Sequence, residues 1–394
     1  MTSINIYTQS STLWGTWESG GKHNAGSVYS INESGENYEV KYSFPSIIGE
    51  WPKGDLCKGK KDTYYGIASG GIYNGGIIFQ YKLKTNSYRV LHNFNNSNGR
   101  NPQGGLLLIN NQLYGITSDG GKNRKGTLYS YNLKNNILTV EHNFNGEKEY
   151  SGLGIKSKLT LLGNTLYGVT ENGGKYSKGS LYSYEIPTKT FNNHVDFNDS
   201  IGTHPLAALI ITKSKTIIGT TSKRASHKDG KLFEYNPDTD NLAQLVSFDK
   251  VTGSFMQSQM SIVNDSILIG ITSYGGNNNA GVIFEYNLKL KKYTPTVHLS
   301  KSSTGNISKG FLCKSEQNEI YGLLSEGGQY HCGSLIKYDY KTKKLSVIEI
   351  FDKQKAYDSK NGLIFVDKQT LLGLANSGGK NTKYGNIYSI NLKE

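Results

Sequence analysis

No stretch of this chain carries a 3.6-residue apolar pattern for longer than a turn, which excludes a fold built on helices. It has no run of 18 apolar residues, so no helix of it can span a membrane. The three cysteines, Cys57, Cys313 and Cys332, are odd in number and lack metal-ligand spacing. That excludes a disulfide framework and a cysteine-based metal site, and buried free thiols are expected instead. A secretory leader is missing too: Met1-Thr-Ser-Ile-Asn runs directly into the repeated part of the chain. The expectation therefore divides between a leader already removed and a chain that stays inside a cell.

What the sequence does have is a period. Glycine recurs at Gly15, Gly66, Gly115, Gly168, Gly219, Gly270, Gly322 and Gly373, at intervals of 51, 49, 53, 51, 51, 52 and 51 residues. Eight copies of one unit fill residues 1–394, and a period of ~50 residues marks a propeller or an array. Each copy holds four short runs rich in β-branched, leucine and aromatic residues, separated by Gly, Asn and Lys clusters. These read as four strands, a to d, joined by tight turns. In the third copy they are centred on Gly104–Ile109, Leu113–Ser118, Gly126–Tyr131 and Leu138–Phe144.

The internal register is strict. Fourteen residues after the anchor glycine stands an aromatic, as at Tyr29, Tyr129, Tyr182, Phe233 and Phe284. Phe79 comes one residue early, Tyr388 one late, and Ile336 substitutes in the seventh copy. Two residues on, and so on the same face of strand c, come Tyr81, Tyr131, Tyr184, Tyr235, Tyr286 and Tyr338. Strand d ends on Phe44, Phe94, Phe144, Phe197, Phe248, Leu299 and Phe351. A residue that recurs in every copy serves what every copy shares, so these are expected in the core. Between strands b and c lies a Gly-Gly, as at Gly70-Gly71 and Gly120-Gly121, suited to a sharp exit from a strand; a phosphate-cradling loop would need a helix after it.

Leu113-Tyr-Gly-Ile-Thr-Ser-Asp-Gly-Gly, then Gly126-Thr-Leu-Tyr, then Glu141-His-Asn-Phe, then a Pro-led strand as at Pro52, Pro102 and Pro205, resembles the GloVer (Gloeo/Verruco-type) tandem repeat of bacterial surface and secreted proteins. Kelch repeats are a looser relative in pattern. The resemblance covers nearly the whole chain, departing at Arg224-Ala225, which stands in place of Gly-Gly. It implies a kelch-like propeller and an exported or surface location, with cytoplasmic residence the alternative, and it brings no catalytic residues. The fold expected is all-β: one eight-bladed β-propeller of four-stranded blades. Seven blades, the alternative, would strand a whole repeat. The first copy has room for one strand ahead of Leu13, at Ile4–Tyr7, and the last stops after strand c.

Lys plus Arg number 44 against 31 Asp plus Glu, a net charge of +13. The b–c loops are rich in cations: Lys122, Arg124, Lys125, Lys175, Lys178 and Lys228, with Lys223 and Arg224 in the fifth copy and Asp229 as the acid among them. In a closed ring all b–c loops share a face with the d–a connections, and that face would attract anions. Basic residues interleaved with stacking aromatics are not dense, so nucleic acid is not expected. All three tryptophans fall in the first 51 residues. Trp14 is a core residue; Trp17 replaces a threonine of the repeat, and Trp51 precedes Pro52. Trp17 and Trp51 are candidate stacking platforms for a sugar, and His204, on a d–a connection, joins them.

Chemistry is harder to find. His92, His142, His194 and His298 recur near the end of strand d and so belong to the repeat; His23, His227 and His331 are too dispersed to share a metal. No G-x-S-x-G motif, sialidase Asp-box or quinoprotein tryptophan-docking repeat is present. The function expected is a non-catalytic binding module for a glycan or anionic surface polymer, monomeric and without cofactor, acting through the b–c/d–a face. The alternatives are a protein-interaction scaffold of a surface or virion assembly and, third, a polysaccharide-active enzyme.

Overall fold

A computed structural model describes residues 12–17, 27–32, 39–43, 50–61, 63–82, 85, 87–145, 157–222, 230–256, 258–308, 312–315, 318–351, 364–365, 370–375 and 386–391; before Cys57, at Cys313 and after Phe351 the backbone alone is described. All regular elements among them are β-strands. Eight antiparallel sheets follow one another along the chain, one to each repeat. Six have four strands in the order a-b-c-d, and the first and last have three. In the third sheet the strands are Arg100–Ile109, Gln112–Asp119, Thr127–Asn132 and Ile137–Asn143. The first sheet consists of strands b, c and d, at Thr12–Trp17, Ser27–Asn32 and Glu39–Ser43. The last consists of a, b and c, at Ile364–Phe365, Thr370–Ala375 and Asn386–Asn391. Ile4–Tyr7 lies outside the described residues.

The period has a steric cause. Strand pairing sets each anchor glycine directly opposite the strand-c aromatic: Gly66 opposite Phe79, Gly115 opposite Tyr129, Gly168 opposite Tyr182, Gly219 opposite Phe233 and Gly270 opposite Phe284. The ring lies across the glycine. A Cβ on Gly115 would stand 2.3 Å from Tyr129 Oη, and one on Gly66 would stand 2.3 Å from Phe79 Cζ. Only glycine leaves room for the ring, so glycine and aromatic recur as a pair.

The cores lie between sheets. Tyr65, Ile67, Ile78 and Phe94 of the second sheet pack with Leu106, Leu113, Tyr129 and Tyr131 of the third. The same arrangement joins the third to the fourth, the fourth to the fifth, the fifth to the sixth and the sixth to the seventh. At four of these five junctions the strand-d phenylalanine of one sheet meets the strand-c aromatic of the next. The ring centroids are 4.9 Å apart for Phe94 and Tyr129, 5.5 Å for Phe144 and Tyr182, and 5.3 Å for Phe197 and Phe233. Leu299 and Ile336, two departures from the aromatic pattern, fall in one cluster. They are a single matched change at a single junction.

Strand d carries a bulge just beyond this aromatic in the second to seventh sheets. The extra residue is Leu91, Glu141, His194, Leu245, Thr296 or Ile348 in turn. A bulge re-aims a side chain, and here the next sheet's tyrosine answers it. Tyr131 donates to the Leu91 carbonyl, and Tyr184 donates to the buried Glu141 carboxylate, which also accepts from Ser130. Strand a is shorter than its Pro-led sequence suggests. It has ten residues in the third sheet but two at Ile210–Ile211, because the chain bridges Thr221 at Pro205, leaves strand b, and rejoins it at Ile210.

Candidate ligand-binding face

The b–c loops are built alike in the second, third, fourth, sixth and seventh sheets. Each runs Gly-Gly-x-x-y-x-Gly, with both leading glycines at positive φ and y in the left-handed region as well. Residue y is Asn74, Arg124, Ser177, Asn279 or His331, at φ 49–57°. In each loop the amide of y donates to the second glycine's carbonyl, and the closing glycine's amide donates to the first glycine's carbonyl, as for Gly126 to Gly120 at 2.9 Å. The Gly-Gly is required by conformation and by space, since a Cβ on Gly121 would stand 2.5 Å from Thr127 Cγ2. The threonine that ends strand b caps strand c: Thr127, Ser180 and Val282 donate their amides to Thr117, Thr170 and Thr272 Oγ1.

The d–a connections share this face, because backbone hydrogen bonds staple them to the loops. Gly121 N–H donates to Asn96 O, Gly276 N–H to Lys250 O and Gly328 N–H to Lys301 O; on the other side Asn101 N–H donates to Gly75 O and His204 N–H to Lys178 O. Each connection turns through one residue in the left-handed region. Asn101, His204, Phe255 and Ile307 hold φ of 56°, 52°, 57° and 60°, each two residues after a glycine. Left-handed backbone is unfavourable for the bulky and β-branched members of this set. The staples hold it there, and the side chains at this position differ from copy to copy.

On this frame stand the candidate residues. Lys122 and Arg124 are exposed and Lys125 half-buried, on the third sheet's loop. Lys175, exposed on the fourth, lies over the Tyr176 ring at 5.4 Å from its centroid. Lys178 forms an ion pair with Asp199. The sequence counts Asp229 as the acid among the loops, but Asp199, on the neighbouring d–a connection, meets Lys178 on the same face, so that cation is matched. His204 is half-buried and donates Nδ1–H to the Glu171 carbonyl at 3.0 Å. Its imidazole is thereby tied to the frame. Trp17 closes strand b of the first sheet, paired with Ser27. It occupies the place where other copies have the capping threonine. Trp51 lies in Glu50–Lys58, at the position before proline that Asn101 and His204 fill. Lys223, Arg224 and Lys228 lie outside the described residues. The structure therefore groups Lys122, Arg124 and Lys125 on one loop and Lys175 and Lys178 on the next. It places Trp51 and His204 at equivalent points of two connections.

The loops also present apolar side chains to solvent. Tyr73, Tyr176 and Tyr330 are 62%, 45% and 53% exposed, and Ile72 and Val251 are exposed as well. The sequence reading passed over these tyrosines. Their signal is an alternation: the fourth residue of the loop is tyrosine in three sheets and asparagine at Asn123 and Asn278.

One cluster has the connectivity of a hydrolytic triad. Ser183 Oγ lies 2.7 Å from His194 Nε2, and His194 Nδ1 lies 2.8 Å from Asp240 Oδ1. Its burial is inverted. Ser183 is 3% exposed, whereas the Asp240 side chain is 64% exposed; a working triad buries the acid and opens the nucleophile. Tyr235 also donates to Asp240 Oδ1 at 2.7 Å, and this hydroxyl, with the imidazole, holds the Asp240 carboxyl below the usual range. The network ties the fourth sheet to the fifth at the end away from the b–c loops. Among the described residues no group of three or more His, Cys, Asp or Glu is placed to hold a metal ion.

The profile of the Gloeobacter/Verrucomicrobia repeat matches residues 2–165 and 148–319. The chain belongs to this family. No curated protein matches the sequence. Among solved structures, the chain is similar to an oligogalacturonate lyase in complex with manganese: 12% identity, TM-score 0.56, 98% of each chain covered. It is also similar to a puromycin-hydrolyzing peptidase of Mycobacterium tuberculosis, at 8% identity and TM-score 0.56, over 86% of this chain and 51% of that one. TolB from Acinetobacter baumannii matches at 13% identity and TM-score 0.41, over 72% of this chain and 62% of TolB. The chain thus spans the lyase but only about half to three-fifths of the other two. At such identities the lyase and the peptidase speak for the fold alone. Repeat and likeness together make this a β-propeller protein.

Proposed function

We propose that residues 1–394 form one closed eight-bladed propeller, and that it is a non-catalytic binding module for a glycan or anionic surface polymer, acting through the b–c/d–a face. Closure is supported by Thr12–Trp17, which lies against both Glu50–Lys58 and Thr370–Ala375. The binding reading rests on one observation: stapled loops hold Lys122, Arg124 and Lys175 in solvent on a single face. The cations of the opposite face are partly committed. Lys343 Nζ donates to both oxygens of the Glu285 carboxylate.

Retention on a polyuronate matrix should fall with added salt, since screening shortens to ~8 Å near physiological strength. Converting Lys122, Arg124 and Lys175 to glutamine should weaken retention more than converting Lys289, Lys291 and Lys292, on c–d turns. Equal losses would show that net charge alone acts. Salt-insensitive retention would instead favour a protein-interaction scaffold, for which exposed Ile72 and Val251 supply apolar contact.

A further inference from the structure

The fourth position of the b–c loop has two occupants that behave oppositely. Where it is asparagine, the residue is exposed but its side chain folds back onto the end of strand d: Asn123 Nδ2 donates to Phe144 O at 3.1 Å, and Asn278 Nδ2 donates to Leu299 O at 3.0 Å. There the amide caps strand d, and its role belongs to the fold. Where it is tyrosine, at Tyr73, Tyr176 and Tyr330, the backbone of the loop is the same, and the ring stands in solvent instead. The fold does not need these rings, because asparagine closes the same loop.

We propose that Tyr73, Tyr176 and Tyr330 are three equivalent stacking platforms on which the face described above grips pyranose rings spaced along one acidic polysaccharide. The inference rests on the binding reading and names the residues that would carry it. The C–H face of a pyranose is weakly positive and fits the negative face of an aromatic ring. A carboxylate on the same sugar fits a nearby cation; at Tyr176 that cation, Lys175, lies over one face of the ring, and the sugar takes the other. The three rings sit on separate loops, in the second, fourth and seventh sheets, with exposed Ile72 beside Tyr73, rather than in one contiguous apolar patch. A protein interface would need a contiguous apolar core, whereas a polymer can bridge spaced contacts and bind through their sum.

The test uses soluble polygalacturonate, with dextran as the uncharged probe, and titration of the full chain. The loop itself supplies the variant: Tyr→Asn at 73, 176 and 330 installs a residue that the same position holds natively, so folding is preserved. Each single change should weaken polygalacturonate binding about threefold to tenfold, and the triple change should weaken it by more than any single one. Tyr→Phe at all three should retain binding, because the ring and not the hydroxyl is the platform. Asn123→Tyr should strengthen it. A triple Tyr→Asn variant that binds like the wild type, while the Lys122, Arg124 and Lys175 variant loses binding, would overturn the platforms and leave the charged face standing. Failure of the wild-type chain to bind polygalacturonate, or equal binding to dextran, would overturn both.

Discussion

Tyr129 carries a hydroxyl that the fold does not use. The side chain is fully buried, and Oη has no hydrogen-bond partner among the described residues. Burial alone pushes its ionisation far above the usual phenol range. Phe79, Phe233 and Phe284 occupy the same place in other sheets, so the site accepts a ring without oxygen. A buried, unpartnered hydroxyl costs ~1–3 kcal/mol, and losing one heavy atom forfeits a few contacts of ~0.1–0.2 kcal/mol each. Tyr129→Phe should therefore raise stability by about 1 kcal/mol. Tyr131, two residues along the same strand, is the control. Its hydroxyl donates to Leu91 O and to Asn136 Oδ1, both at 3.1 Å, so Tyr131→Phe should cost about 1 kcal/mol. Tyr129→Ala, which removes the ring itself, should cost roughly 3–5 kcal/mol. Urea midpoints at unchanged m-value measure all three. If Tyr129→Phe destabilised by ~1 kcal/mol or more, the hydroxyl would have a partner and the reasoning would fail.

Other expectations follow from the same geometry. Gly115→Ala should lose about 1–3 kcal/mol by overpacking the ring, and Gly322→Ala less, since its Cβ would meet Leu312 Cδ2 at 3.0 Å and Ile336 only at 3.7 Å; equal urea midpoints would count against the glycine–ring account. Asp240, depressed in the folded chain by Tyr235 and His194, adds stability that is present above its unfolded pKa of ~3.9 and is lost as pH falls through the folded value. The gap between wild type and Asp240→Asn should then hold from pH 7 to about 5 and shrink below about 4; a gap unchanged at pH 3 would refute the linkage. The Cys57 thiol is pushed up by burial and Cys332 is buried, donating to Tyr330 O. Alkylation at pH 8 should be slow at both until urea is added, and fast labelling of the native chain would contradict their placement.

The fold was legible because its constraint is local and repeated. A glycine and an aromatic fourteen residues apart face each other across one strand pair, so the pairing shows as a period. What joins one copy to the next was not legible. Ser183, His194 and Asp240 meet across two repeats, and only the bulge turns His194 toward its partners. In sequence, Leu299 and Ile336 look like two lapses; in space they are one junction. The charged face was half legible: Lys122, Arg124 and Lys175 stand where loop composition suggests, but the match of Lys178 to Asp199 depends on how a d–a connection folds back beside a b–c loop. The loop tyrosines were not legible, because the alternation of tyrosine with asparagine does not itself tell which side chain folds back on strand d and which stands in solvent.

Because each core is shared between consecutive sheets, no copy is complete in itself, and the copies are not interchangeable. Leu299 presents a narrow aliphatic edge that Ile336 fits, whereas Phe197 presents a ring shaped to Phe233. If the seventh repeat were moved to follow the fourth, Phe197 would face Ile336, and both faces would be mismatched. The linear order of the array is thus encoded in the flanks of its units as well as in the peptide bonds between them. A shuffled or shortened gene would meet its first penalty at the seams, before any loop or ligand was involved.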